Sequence, residues 1–131
     1  MLENMKILVV DDEPEVKALY LQWYDEEIKA GIFEFSFVYS GEEALKFMEK
    51  GDASNVVLIL SDINMPGMTG LELLRKLKEK NKELPVVMVS AYGDEQNYTL
   101  AKDYGADAFV NKPVDFDDLK NKLSQYDPEK G

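Results

Sequence analysis

Residues 56–70, VVLILSDINMPGMTG, place a strand, a turn and a helix start in fifteen residues. Residues 56–60 form a run of five apolar side chains, too short for a helix and too uniform for a strand with one wet face. Such a run suits a parallel strand covered on both sides, where the usual alternation disappears. The strand ends on Ser61 and Asp62. Ligands of open parallel α/β sheets bind just beyond the carboxyl ends of the strands, so Asp62 is delivered to that edge. Pro66, Gly67 and Gly70 stiffen the turn that follows, and Thr69 with Glu72 makes a T-x-x-E capping box that starts a helix.

The same alternation of strand and helix continues in both directions. Upstream, residues 6–10 carry an ILVV run that reads as a second buried strand and stops at Asp11-Asp12-Glu13-Pro14. Acids before a proline are helix-start chemistry, because proline tolerates the first helical position and carboxylates favour the positive end of the dipole. Val16, Leu19, Tyr20, Trp23, Tyr24 and Ile28 recur at helical spacing and predict one amphipathic helix ending near Gly31. Residues 33–38, FEFSFV, alternate with period two and predict an edge strand. Ser40 and Glu43 cap a second helix with Ala44, Leu45, Phe47 and Met48 on its apolar face, and Gly51 suits its left-handed C-terminal residue.

Downstream, residues 70–80 form a helix with Leu71, Leu74 and Leu77 facing inward. Residues 85–89, PVVMV, are a further buried strand with proline at its tolerated first position, and it delivers Ser90. Residues 94–104 give a weaker helix whose apolar positions, Tyr98, Leu100, Ala101 and Tyr104, are sparse, so loose packing is expected before Gly105. A short strand at 108–110 leads into Asn111-Lys112-Pro113. Asp115 caps a final helix on Phe116, Leu119, Leu123 and Tyr126, and the tail DPEKG is expected to fray. Five strands alternating with five helices imply a parallel sheet with helices on both faces, joined by right-handed crossovers.

Composition narrows the chemistry. A chain of 131 residues is one domain. Its 15 Lys and Arg against 26 Asp and Glu give a net charge of -11, which argues against nucleic-acid binding and favours a cation or a basic partner. The absence of cysteine and histidine excludes disulfides, thiolate nucleophiles, imidazole bases and the usual zinc sites. No signal-peptide core or membrane span is present, so a soluble cytoplasmic protein is expected, with no membrane partner.

What remains converges on the strand ends. Asp11 and Asp12 follow the first strand, Asp62 the third and Ser90 the fourth, while Lys112 follows the fifth. Three carboxylates a few ångströms apart repel by about 4 kcal/mol per pair at an effective dielectric near 20. A hard divalent cation resolves that conflict, and Mg2+ is usually held by one or two carboxylates together with substrate phosphate. The cluster therefore reads as a phosphoryl-transfer site. Singly, each residue has a plainer explanation: helix-start acids for Asp11 and Asp12, an Asx turn for Asp62, an N-cap for Ser90, a solvated lysine for Lys112 and core packing for Phe109. Four strand ends of one sheet carrying the residue types of one reaction outweigh them.

These residues carry a resemblance. Asp11-Asp12 after ILVV, Asp62 followed by Met65-Pro66-Gly67 and Gly70, Ser90-Ala91, and Lys112-Pro113 make the chain similar to response-regulator receiver domains over about residues 5–125. The resemblance implies a doubly wound, flavodoxin-like (βα)5 three-layer fold with a five-stranded parallel sheet of order 2-1-3-4-5. It implies that Asp62 takes a phosphoryl group from a sensor histidine kinase or histidine phosphotransfer protein. Asp12 and Asp62 would bind Mg2+ directly, Asp11 largely through water, and the backbone carbonyl of Asn64 would complete the ligands, with Mn2+ or Ca2+ able to stand in. Lys112, preceding a cis proline, and Ser90 would serve the phosphoryl group, and Ser90 with Phe109 would form the switch. Ser90 stands where threonine is commoner and Phe109 where tyrosine is, so switching here must be read through packing.

The implied protein is a signalling phosphoacceptor that assists its own phosphorylation and dephosphorylation, not a turnover enzyme. Its partners would be the phosphodonor and a downstream protein or effector domain, with dimerisation on phosphorylation possible. The expected output surface is the weak fourth helix, the last strand and the last helix, including Tyr98, Lys102, Phe109 and Lys120. Two other readings stay open: an interaction module working without phosphorylation, and an aspartate-nucleophile phosphatase of the haloacid-dehalogenase type, which fits less well because its nucleophile normally ends the first strand in D-x-D. A stand-alone receiver and a receiver excised from a longer chain are both compatible with 131 residues.

Overall fold

The computed structural model describes residues 5–50, 55–91 and 93–126. Five strands, β1 (Met5–Val10), β2 (Phe33–Val38), β3 (Val56–Asp62), β4 (Val86–Ala91) and β5 (Ala108–Lys112), form one sheet of order β2-β1-β3-β4-β5. Every neighbouring pair is parallel. The order reverses between β1 and β3, the kind of switch point at which doubly wound sheets open a crevice. Registry aligns the carboxyl ends there: Val10 lies beside Ser61, Asp62 beside Val89, and Ser90 and Ala91 beside Asn111 and Lys112.

Alternate strand residues point into two separate cores, which is why β1, β3 and β4 carry unbroken apolar runs. Leu8, Val10, Ile59, Val86 and Met88 face one side, where α3 (Gly41–Glu49), α4 (Gly70–Lys80) and α5 (Glu95–Asp103) contribute Ala44, Leu73, Leu74, Leu77 and Ala101. Ile7, Val9, Leu58, Leu60, Val87 and Val89 face the other, covered by α1 (Glu15–Trp23) and α6 (Phe116–Ser124) through Tyr20, Leu119 and Leu123, together with Tyr24. The three caps form as the sequence indicates: Ser40 Oγ accepts from the Glu43 amide at 3.0 Å, Thr69 Oγ1 from Glu72 at 3.2 Å, and Asp115 from Asp117 and Asp118 at 3.1 Å. The weak helix α5 buries only Ala101.

Several expectations are corrected. The first helix is not continuous: α1 stops at Trp23, Tyr24 takes φ -107 and ψ 24, and a separate α2 (Asp25–Lys29) follows, giving six helices among the described residues. Two forces break it. The Tyr24 hydroxyl donates to the Phe116 carbonyl at 2.7 Å, fixing the ring against α6, and Asp25, Glu26 and Glu27 favour the start of a new helix at that point. Nor is the whole apolar stripe buried. Tyr20 and Tyr24 are inside, but Leu19 is 46% and Trp23 56% exposed, the indole lying flat on Phe116 at 5.3 Å. On α4 the buried leucines are Leu73, Leu74 and Leu77, with Leu71 at the flank. Strands β4 and β5 each run two residues past the predicted strands, because backbone pairing continues through Ser90, Ala91, Asn111 and Lys112, of which Ser90, Asn111 and Lys112 carry polar side chains. The expected cap at Gly51 and the tail DPEKG lie outside the described residues.

Candidate functional site

Asp62 ends β3 with its side chain 3% exposed. The backbone beyond it is anchored on both sides: the Ile63 amide donates to Val89 O at 3.0 Å, and the Gly70 amide returns to Ile63 O at 2.8 Å. This return brings the start of α4 so close that a Cβ at position 70 would overlap the Asp62 carbonyl and lie 2.7 Å from the Ile63 Cα. Gly67, at φ +74, supplies the left-handed residue of the same loop. The acidic ledge is thus held by backbone contacts, with Asn64 exposed two residues beyond Asp62.

Asp11, Asp12 and Asp62 each place a carboxylate oxygen within 4.8 Å of the others. Three hard oxygen donors without nitrogen or sulfur fit Mg2+, Mn2+ or Ca2+ and suit no softer metal. Asp11 Oδ1 also accepts from the Glu13 amide at 3.0 Å, so its helix-start role coexists with its place in the cluster. Lys112 Nζ lies 2.8 Å from Asp62 Oδ2 and 4.0 Å from Glu13 Oε1. Burial pulls the Lys112 pKa down, but the hydrogen bond and charge of Asp62, then the charges of Asp11 and Glu13, outweigh it and hold the ammonium above its ordinary value. Asp11 is held above the ordinary carboxylate range, chiefly by burial and also by the charge of Asp62, against the lowering effect of the Glu13 amide and Lys112. The Lys112-Pro113 peptide is cis, as expected.

The structure brings Ser90 to the same edge, 3% exposed within β4. Its N-cap reading fails, since Asp94 caps α5, accepting from the Asn97 amide at 3.4 Å. Phe109 is half-buried on β5 with the Tyr98 ring 4.2 Å away, and both line a cavity of about 340 Å3 with Ser90 and Asn111. Lys120 departs from the expected output surface: it reaches Glu27 of α2 at 2.6 Å and not toward α5. Glu13 reads in the sequence as a helix-start acid alone; the shared edge of β1 and β5 follows from a parallel sheet, but spacing gives no signal that the Glu13 side chain turns toward Lys112.

The cluster carries a stability cost. A carboxyl whose pKa is raised by folding binds its proton more tightly in the folded state, so ionising it destabilises the fold, fully so above the raised pKa. Asp11→Asn, which keeps the acceptor for the Glu13 amide, is expected to stabilise the cation-free protein at neutral pH by about 1 kcal/mol. The gain should disappear below pH 3.8, where Asp11 is protonated in both states. Denaturant titrations at both pH values in EDTA check this, and an unchanged or lower midpoint at neutral pH would contradict it.

A doubly wound sheet presenting an acidic triad, a buried serine and a lysine at one edge is the architecture of a signalling phosphoacceptor domain. The chain belongs to the response regulator receiver domain family, which matches residues 7–124. It is 31% identical over 127 residues to sporulation initiation phosphotransferase F of Bacillus subtilis (strain 168), covering 97% of both chains. It is 40% identical over 108 residues to the transcriptional regulatory protein ResD of the same organism, covering 82% of this chain and only 42% of ResD. Among solved structures, response regulator protein TrrA of Thermotoga maritima, determined in complex with Mg(2+)-BeF, superposes with a TM-score of 0.76 at 34% identity over 93% of this chain and 98% of TrrA. The chain is therefore a receiver domain of the phosphorylation-activated response regulators, a family that works with histidine kinases or phosphotransfer proteins.

Proposed function

We propose that Asp62 is the phosphoacceptor of this receiver and that Asp11, Asp12, Asp62 and the Asn64 carbonyl hold Mg2+ beside it. The observation that carries this reading is the position of the Asp62 carboxylate, shared between two further acids within 4.8 Å and the Lys112 ammonium at 2.8 Å. The Mg(2+)-BeF complex of the similar TrrA supports the choice of ion. When bound, the cation neutralises the acids and stabilises charge on the phosphoryl oxygens. Asp62 Oδ forms the new O–P bond, the donor's P–N bond breaks, and its electron pair leaves with the imidazole nitrogen of the partner histidine. Lys112 balances the charge spread over the equatorial oxygens, and the Ser90 hydroxyl donates to one of them once the group is in place.

The added charge of roughly -1.5 to -2 at pH 7 draws Ser90 inward, and the half-buried Phe109 with its Tyr98 lid is what repacks in response. Output thus passes to the face made by α5, β5 and α6, where Tyr98 and Lys102 meet a downstream protein or effector domain, or a second phosphorylated copy. Residues 1–131 act as one domain. No described helix is long and apolar enough to cross a membrane, which suits a cytoplasmic partner of a kinase, and self-dephosphorylation takes the place of substrate turnover. Intact mass after incubation with Mg2+ and acetyl phosphate or phosphoramidate tests the proposal. A gain of about 80 Da, one phosphoryl group, that disappears with EDTA supports it. No gain from either donor, with Mg2+ binding confirmed, would move the assignment to an interaction module.

A further inference from the structure

Among the described residues that line the mouth beside Lys112, Glu13 is the carboxylate outside the acid triad. Its amide is fixed by Asp11 at 3.0 Å, so its backbone is as well placed as the pocket itself. Its side chain remains 62% exposed, with Oε1 4.0 Å from Lys112 Nζ. That distance is too long for a hydrogen bond, so Glu13 acts through its charge. It stands on the rim of a cavity of about 260 Å3 whose other walls include Val16, Leu19, Pro113 and Phe116. The charged residues lining that cavity are Asp11, Glu13 and Lys112, and Lys112 is already engaged by Asp62. Because the Glu13 side chain is exposed, an anion entering this mouth meets its carboxylate as a partly screened, salt-sensitive repulsion.

We propose that Glu13 is a specificity-determining residue for phosphoryl transfer, a filter favouring donors whose leaving group departs neutral over donors whose leaving group departs as an anion. The proposal rests on Asp62 being the acceptor. In-line attack by the buried Asp62 puts the leaving group on the far side of phosphorus, toward solvent, where the exposed Glu13 carboxylate contributes its charge. With an acyl phosphate the O–P bond to Asp62 forms, the donor's P–O bond breaks, and the electron pair leaves on a carboxylate, whose growing negative charge Glu13 opposes. With a phosphorylated imidazole or phosphoramidate the P–N bond breaks, and the pair leaves on a nitrogen that departs as neutral imidazole or, from the N-protonated form, as ammonia. Glu13 opposes that departure much less.

The test compares initial rates of mass gain at saturating Mg2+ for wild type, Glu13→Gln and Glu13→Lys, with acetyl phosphate and with phosphoramidate as donors. The acetyl phosphate rate is expected to rise about threefold in Glu13→Gln and about tenfold in Glu13→Lys, while the phosphoramidate rate changes less than about twofold. The acetyl phosphate gain should shrink in 1 M KCl, where the screening length falls to about 3 Å. A merely structural role, or one exerted only through Lys112, changes both donors by the same factor and overturns the filter, as does no change with either. If the wild type takes a phosphoryl group from neither donor, the acceptor assignment itself fails and the filter falls with it.

Discussion

Asp62→Asn is expected to take up no phosphoryl group under conditions that load the wild type, and Lys112→Met is expected to slow loading by roughly 100- to 1,000-fold while leaving the acceptor in place. The two variants separate nucleophile from electrostatics. Asparagine fills the buried position at the end of β3 but offers an amide in place of a nucleophilic carboxylate. Methionine keeps an unbranched apolar stem one atom shorter than Lys112 but removes the ammonium 2.8 Å from Asp62 Oδ2. The effects on the cation should run in opposite directions. Asp62→Asn removes one of three clustered carboxylates and weakens Mg2+ binding, whereas Lys112→Met removes a competing positive charge and strengthens it by about tenfold. Intact mass against time, with Mg2+ titrations in parallel, checks both. Phosphorylation of Asp62→Asn at the wild-type rate would place the acceptor elsewhere, and loading of Lys112→Met at that rate would make the lysine structural.

What the chain discloses before folding depends on which force sets each feature. The sheet was legible because strands buried on both faces must be apolar at every position, as at residues 56–60. The charged cluster was legible because Asp11, Asp62 and Lys112 each follow an apolar run, and a parallel sheet gathers such ends at one edge. The break at Tyr24 was not. Helical spacing continues through it, and one of the two forces that stop the helix is a hydroxyl reaching the Phe116 carbonyl 92 residues away. The Glu27–Lys120 pair that turns Lys120 from the expected output face is equally distant in sequence. Periodicity reports which face is apolar, and long-range polar ties leave no mark on it. Trp23 shows the converse: a residue at core spacing stays half outside because Phe116 meets it at the surface.

Gly70→Ala sets two local rules against each other, and their magnitudes decide the result. Gly70 is the first residue of α4, directly after the Thr69 cap. By helix propensity alanine should stabilise that position by up to about 1 kcal/mol, with a similar gain from restricting the unfolded chain. Sterics point the other way. The new Cβ would overlap the Asp62 carbonyl and stand 2.7 Å from the Ile63 Cα, and both are backbone atoms that cannot rotate aside. Relief requires moving the start of α4 off β3 and lengthening the Gly70–Ile63 hydrogen bond of 2.8 Å, which is expected to cost about 3 kcal/mol net. Gly41→Ala is the matched control at the first residue of α3. Its Cβ meets the Met68 Sδ at 2.7 Å, which can turn away, and the Met68 Cβ at 3.1 Å, which must give by only a few tenths of an ångström, so it should lose roughly 1 kcal/mol, well under the loss in Gly70→Ala. Displacing Ile63 also shifts Asp62 and the Asn64 carbonyl, so folded Gly70→Ala should load phosphoryl groups more slowly than Gly41→Ala at equal Mg2+. Urea denaturation of the pair and their rates of mass gain measure both effects. A Gly70→Ala midpoint equal to that of Gly41→Ala would show that the ledge yields, and that backbone contact does not hold the acid pocket in place.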